Sequence, residues 1–98
     1  MTIARTILEQ LGGRRFTVMT GAKNYVDHGN GLSFHLGRNS SRANVIKITL
    51  DPSDTYTLEM GRYSRKNLEY TVLETTSDIY AEDLVRIFTQ KTGLETRL

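Results

Sequence analysis

The stretch Asn44–Met60, NVIKITLDPSDTYTLEM, predicts two antiparallel strands joined by a tight turn. Apolar and polar residues alternate in both halves, which is typical of strands that bury one face. Asp51-Pro52-Ser53-Asp54 separates the halves, and a proline at the second position of a β-turn is already close to the required φ. The apolar positions of the two halves are Ile46, Ile48, Leu50, Tyr56, Leu58 and Met60.

The same two-residue period continues outward from this hairpin. It predicts a strand after Arg14 with Phe16 and Val18 on one face, a strand over 32–36 and a strand over 70–73. The segment 21–31 is then a long loop between the first two strands. The apolar positions of the two outer strands are Leu32, Phe34, Leu36, Tyr70 and Val72, and we expect Phe34 to lie in the core.

Helical patterns flank the predicted strands. Thr2 can cap a helix over about 3–11, which Gly12-Gly13 ends. After the last strand, Ser77 or Asp78 can cap a second helix, which Gly93 ends and on which Leu94 can pack back. The second helix has a broad apolar face formed by Tyr80, Ala81, Leu84, Val85, Ile87 and Phe88.

These elements predict one α+β domain over 1–98 with the order α-β-β-β-β-β-α. Consecutive strands with short links favour a five-stranded antiparallel meander. A sheet with one apolar face needs a cover, and the N- and C-terminal helices are the available cover. We therefore expect both helices to pack on one face of the sheet.

Composition narrows the class of protein. The chain has no cysteine, so disulfides, thiolate zinc sites and a cysteine nucleophile are excluded. A small domain without disulfides favours a reducing compartment, and the sequence has no apolar run of signal-peptide or membrane-span length. We expect a cytoplasmic protein without a membrane partner.

Charge is distributed unevenly along the chain. Residues 1–66 carry ten Lys/Arg against five Asp/Glu, whereas residues 67–98 carry three against six. In a meander, the connections 37–44 and 64–68 share one end of the sheet, and the approach to the first strand reaches the same end. The predicted basic cluster comprises Arg14, Arg15, Arg38, Arg42, Arg65 and Lys66, with Arg62 close by and Arg97 following the last helix.

Two interpretations of this cluster remain open. The first is a solvated end of the domain. The second is a patch that contacts phosphates, and it is considered because Lys and Arg gathered from separate segments repel one another unless an anion binds. Tyr63 is the only aromatic residue near the predicted cluster, so the sequence gives little support to a platform on which bases stack.

The 21–31 loop is interpreted as a connection or a recognition loop, at the opposite end with Asp51 and Asp54. Its contact candidates are Lys23, Asn24 and Tyr25, and the alternative is that Tyr25 and Val26 form an apolar plug beneath the loop.

Motifs for chemistry are missing from the sequence. No P-loop or G-x-S-x-G pattern is present, and two separated histidines do not make a metal site. We therefore expect no catalytic residues, no metal, no cofactor and no enzymatic activity.

Two groups of residues form distinctive motifs. The first is Gln10-Leu11-Gly12-Gly13 with Phe16 and the run Met19–Tyr25. The second is Tyr80-Ala81-Glu82-Asp83-Leu84 with Phe88-Thr89 and Thr92-Gly93-Leu94. Together they resemble a family of small proteins encoded by phages, prophages and other bacterial mobile elements. Some phage proteins of this size inhibit host defence, including anti-CRISPR proteins that occlude nucleic-acid channels. The resemblance therefore implies a partner in a host bacterial cell.

Three functions follow as hypotheses. The first is a binding protein that docks on a host protein or nucleoprotein complex and blocks nucleic-acid engagement. The second is a free nucleic-acid-binding regulatory or accessory protein. The third is a homo-oligomeric structural module, because an open sheet has edge strands that can pair; the protein would then be a homodimer rather than a monomer.

Overall fold

The computed structural model describes residues 2–37, 39 and 41–94. In chain order, the elements are α1 (Ile3–Leu11), α2 (Arg14–Thr20), β1 (Lys23–Asp27), β2 (Gly31–His35), β3 (Val45–Leu50), β4 (Tyr56–Ser64), β5 (Glu69–Ile79), a single 3₁₀ turn (Ala81–Asp83) and α3 (Leu84–Thr92).

The five strands form one antiparallel sheet in the order β1-β2-β3-β4-β5, which confirms the predicted meander. The stretch Asn44–Met60 forms the predicted hairpin, with Ile48 opposite Leu58 and the Asp54 N–H donating to the Asp51 carbonyl at 2.9 Å. Each strand pairs with its neighbour in sequence, so the connections alternate between the two ends of the sheet.

All the helices and the apolar face of the sheet share one core. Phe16 of α2, Phe34 of β2 and Phe88 of α3 are fully buried, and their ring centroids lie 5.1 to 6.3 Å apart. Ile7 and Leu11 of α1 join the same cluster. The prediction that Phe34 is core is confirmed. The other face of the sheet has no helix over it in the described part of the chain.

The prediction of a strand after Arg14 is wrong, because these residues form α2. Phe16 and Thr20, four residues apart, are buried, whereas Val18 is 73% exposed. A seven-residue segment with one large buried apolar residue is compatible with both the strand period and the helical period. Packing of Phe16 against Phe34 selects the helix.

The prediction that 21–31 is a loop is also wrong, because it contains the edge strand β1. Lys23 lies opposite His35 and Asp27 opposite Leu32, with an irregularity between Lys23 and Val26 where Asn24 has φ 58°. The strand gives little sequence signal because only Tyr25 of its five residues is even half-buried.

The last helix begins later than predicted. β5 continues to Ile79, which is buried opposite Tyr56, and Asp83 rather than Ser77 or Asp78 is the residue before α3. Tyr80 and Ala81 are consequently exposed and do not belong to the apolar face. The predicted stop is confirmed, since Gly93 has φ 74° and its N–H donates to the Thr89 carbonyl.

Candidate nucleic-acid interface

The β2–β3 and β4–β5 connections meet at one end of the sheet, as predicted. Asn44 joins them: its backbone N–H donates to the Gly61 carbonyl, and its carbonyl accepts from Leu36 N–H, each at 3.0 Å. Its side chain also accepts from Tyr63 N–H at 2.7 Å and donates to the Tyr63 carbonyl at 2.9 Å. Asn44 therefore continues the sheet pairing ahead of Val45, the first residue of β3, and ties the β2–β3 connection to the last residues of β4.

The β2–β3 connection has its own hydrogen-bond framework. Asn39 donates through Nδ2 to the carbonyls of Gly37 (2.9 Å) and Ala43 (2.7 Å), and its Oδ1 accepts from Ser41. The chain then passes through Arg42 at φ 68°, a left-handed conformation that turns it back toward β3. The framework fixes the backbone that carries Arg42.

Four exposed cations lie at this end, which we call the basic end: Arg42, Arg62, Arg65 and Lys66. Arg62 of β4 donates through Nη1 to the Arg42 carbonyl at 2.8 Å, so the end of β4 contacts the β2–β3 connection. Among the described residues, none of the four forms an ion pair; the ion pairs are Arg5–Glu9, Arg86–Asp83 and Lys91–Glu74. A groove of about 830 Å³ between Arg42 and Arg62 is open to solvent.

Two residues of the predicted cluster lie elsewhere. Arg14 and Arg15 are in α2 and line a second groove with Glu82 and Val85, beside the 3₁₀ turn that follows β5. Because β5 ends opposite the start of β4, this groove lies toward the other end of the strands. The error comes from treating α2 as a strand. Arg38 and Arg97 lie outside the described residues.

The 21–31 candidates do not form one contact surface. Lys23 is exposed at the start of β1, opposite His35, and so lies toward the same end of the sheet as the basic end rather than the opposite end. Three strand spacings, about 14 Å, separate it from β4. Asn24 is exposed at the β1 irregularity.

Tyr25 has a structural role. Its ring lies 5.5 Å from that of Phe34, and its hydroxyl shares a 2.6 Å hydrogen bond with Thr17. Burial raises the pKa of Tyr25, and the hydrogen bond between its hydroxyl and Thr17 partly offsets this effect. The plug interpretation therefore holds for Tyr25, whereas Val26 is exposed on the other face.

The open face of the sheet carries the aromatic pair Tyr63 and Tyr70. The prediction that Tyr70 and Val72 lie on the buried face is wrong, since both are exposed opposite Tyr63 and Gly61. Glu59, Gly61 and Tyr63 alternate with the buried residues of β4, so they lie on the open face. Tyr70 is directly opposite Tyr63, and Val72 is opposite Gly61. The sequence signal was two tyrosines placed symmetrically about the polar turn 64–69, which an exact hairpin register would have paired.

The Tyr70 side chain is held against the sheet. Its hydroxyl donates to Glu59 Oε2 at 2.8 Å, and the ring crosses Gly61, where any Cβ would clash with Oη, Cζ and Cε1 of the ring. Burial, together with the hydrogen bond to the Glu59 carboxylate and its charge, raises the pKa of Tyr70 to about 12. The phenol is therefore a neutral, fixed surface at physiological pH.

One further contact, between His28 and Ser33, resembles a nucleophile and its general base in distance. His28 Nε2 lies 2.7 Å from Ser33 Oγ, which is the separation of a nucleophile and its base. Among the described residues, no carboxylate orients the other ring nitrogen of His28, so the pair lacks the third group that would fix the tautomer. The contact carries no catalytic assignment.

Searches of the described residues for other sites were negative. No group of three or more His, Asp or Glu side chains there is placed to hold a metal ion, and no helix there has the length and apolar character to cross a membrane.

Comparisons with protein-family models, curated proteins and solved structures found no match for this chain.

Proposed function

We propose that this protein is a non-enzymatic binding protein that docks on a host nucleoprotein complex with its basic end against nucleic-acid phosphates, and so blocks nucleic-acid engagement. The observation that carries the proposal is the gathering of four exposed cations without ion-pair partners at one end of the described chain. The resemblance to mobile-element proteins suggests that the target belongs to a host bacterium.

Phosphate is the ligand that this arrangement suits best. Like charges held together repel one another, and a polyanion relieves that repulsion. Three of the four cations are arginines, whose planar guanidinium can bind a phosphate through two parallel hydrogen bonds. Arg42 and Arg62, joined by the hydrogen bond from Arg62 Nη1 to the Arg42 carbonyl, both line an open groove.

The test compares two pairs of adjacent cations. Arg65→Glu/Lys66→Glu reverses charge at the basic end, and Arg14→Glu/Arg15→Glu makes the same change in net charge away from it. Glutamates in the first turn of α2 are favoured by the helix dipole, so the control variant should stay folded.

Binding is measured by fluorescence anisotropy with a labelled DNA strand and its duplex. We expect the basic-end variant to lower affinity more than about tenfold and to reduce the salt slope by about two, while the control stays within about twofold. Equal losses in the two variants would contradict a site at the basic end.

Free nucleic-acid binding is the second candidate function, and the aromatic pair beside the basic end favours it. A pull-down from bacterial lysate with the tagged protein, with and without nuclease, separates the two. Partners that survive nuclease and are lost with Arg65→Glu/Lys66→Glu support docking on a nucleoprotein complex. Partners that disappear with nuclease support the free binder.

A further inference from the structure

We propose that the open face beside the basic end is a stacking platform for single-stranded nucleic acid, with Tyr63 and Tyr70 against bases and Arg65 and Lys66 against phosphates. This inference rests on the proposed contact with nucleic acid and specifies the class of strand that it takes.

The first argument is the fixed position of the Tyr70 ring. One side of the ring covers Gly61, and the hydroxyl is bonded to Glu59. The residue is nevertheless 43% exposed, so the remainder of the side chain is open to solvent. A ring that is immobilised before a ligand arrives loses little conformational entropy when a base stacks on it.

The second argument is continuity of the apolar surface. Tyr63 is 37% exposed directly opposite Tyr70, and Val72 is 49% exposed beside Gly61. These side chains lie on the same face of neighbouring strands, so adjacent bases could contact adjacent side chains. A surface of this kind tolerates any base, because every base has a π face.

The third argument is the short distance to positive charge. Arg65 and Lys66 occupy the turn that joins Tyr63 to Tyr70, and Arg65 is two residues, about 7 Å, from Tyr63 along the chain. Cations beside exposed aromatic rings are the combination that binds single strands, with stacking on the bases and charge along the backbone.

Duplex nucleic acid does not use such a platform. Its bases are stacked on one another, so their faces are covered and only their edges are accessible. Duplex binding would therefore depend on the basic end alone.

The experiment uses fluorescein-labelled oligothymidylate of about 15 bases and a duplex of the same length. Tyr70→Leu and Tyr63→Leu keep most of the apolar area but remove the π face. Tyr80→Leu is the matched control, because Tyr80 is 60% exposed and lies beyond the end of β5, away from the platform.

We expect each platform variant to weaken oligothymidylate binding by about tenfold and to leave duplex binding and the salt slope unchanged. Tyr80→Leu should change neither probe. Circular dichroism and urea denaturation establish whether the variants are folded. If Tyr70→Leu does not fold, Tyr63→Leu still tests the platform.

The inference is overturned if the parent binds both probes equally and the tyrosine variants lose nothing. If Arg65→Glu/Lys66→Glu still weakens binding in that case, the proposed function stands without the platform. If the parent binds neither probe, the contact with nucleic acid fails and the platform fails with it. If Tyr70→Leu instead converts a dimer to a monomer in sedimentation, the face is an interface between two copies.

Discussion

The Tyr70 ring can lie across β4 only because position 61 has no side chain, so Gly61 and Tyr70 together determine this part of the open face. Gly61→Ala should destabilise the protein by about 1–3 kcal/mol, because a Cβ at this position forces the Tyr70 ring off β4 and away from Glu59. In Gly61→Ala/Tyr70→Ala, most of that cost should disappear. Urea denaturation of the two single variants and the double variant measures the coupling. Additive effects would show that the ring does not depend on the glycine.

The same tyrosine makes stability sensitive to high pH. Burial, with the hydrogen bond to Glu59 and the charge of that carboxylate, raises the pKa of Tyr70 to about 12 from the ordinary value of 10.0. The folded state then holds this proton more tightly than the unfolded state, so the stabilisation is complete below about pH 10 and is lost as the pH rises through 12.

Difference titration of the phenolate absorbance between the parent and Tyr70→Phe isolates this group from the other tyrosines. The transition that the parent shows and Tyr70→Phe lacks should lie near pH 12. Tyr70→Phe should also lose less stability than the parent between pH 10 and pH 12. A missing transition near pH 10 would contradict the Glu59 contact.

Phe34 is the centre of the aromatic cluster, so its removal tests the core. Phe34→Ala should lower the free energy of unfolding by about 3–5 kcal/mol, through lost burial and the cavity that remains beside the Phe16 and Phe88 rings. The exposed Tyr80→Ala should change stability by less than about 0.5 kcal/mol. Chemical denaturation measures both, and equal midpoints for Phe34→Ala and the parent would exclude this packing.

At the scale of the elements, one side chain determines how firmly the β4–β5 hairpin is attached. Asn44→Ala removes both side-chain hydrogen bonds to Tyr63 and should destabilise the protein by about 1–3 kcal/mol. Amide hydrogen exchange at Tyr63 should accelerate, since its N–H loses its acceptor. Asn67→Ala is the control, because the Asn67 interaction with Ser64 uses the backbone N–H. Unchanged exchange at Tyr63 would contradict this attachment.

The elements differ in how clearly the sequence specifies them. β2, β3 and β4 alternate over their buried positions and were predicted, as were Thr2 as the cap of α1 and Gly93 as the end of α3. α2 and β1 were not, because each presents one large side chain to the core, and a single anchor has no period.

The candidate site was only partly predicted, because its residues depend on the assignment of α2 and on the register of the β4–β5 hairpin. The meeting of the two connections depends only on strand alternation, so Arg42, Arg65 and Lys66 were placed correctly. The wrong assignment of α2 put Arg14 and Arg15 in the cluster. Tyr70 was predicted on the apolar face, because its true position opposite Tyr63 on the open face depends on the exact hairpin register, which sequence patterns leave open.

At the scale of the whole molecule, the two ends of the sheet differ in charge over the described residues: the basic end has four exposed cations with Glu69, whereas Arg14 and Arg15 at the other end lie among carboxylates. Asp51 and Asp54 lie in the β3–β4 turn, at the end opposite the basic end, and Glu82 and Asp83 follow β5 toward the same side. A polyanion should therefore approach the molecule in one orientation.

The salt dependence of binding measures how many cations take part. Four phosphate contacts predict a slope of log affinity against log salt of about −3.6 for a duplex and about −2.8 for a single strand. Anisotropy titrations between about 50 and 200 mM salt give the slope. A slope near zero would show that the basic end does not contact phosphate.

The aromatic cluster also has a consequence for biosynthesis. Phe88 reaches the rings of Phe16 and Phe34 from α3, which is translated after every strand of the sheet. Until α3 has been synthesised and has docked, Phe16 and Phe34 lack this cover. The incomplete fold then exposes apolar surface that is prone to aggregation.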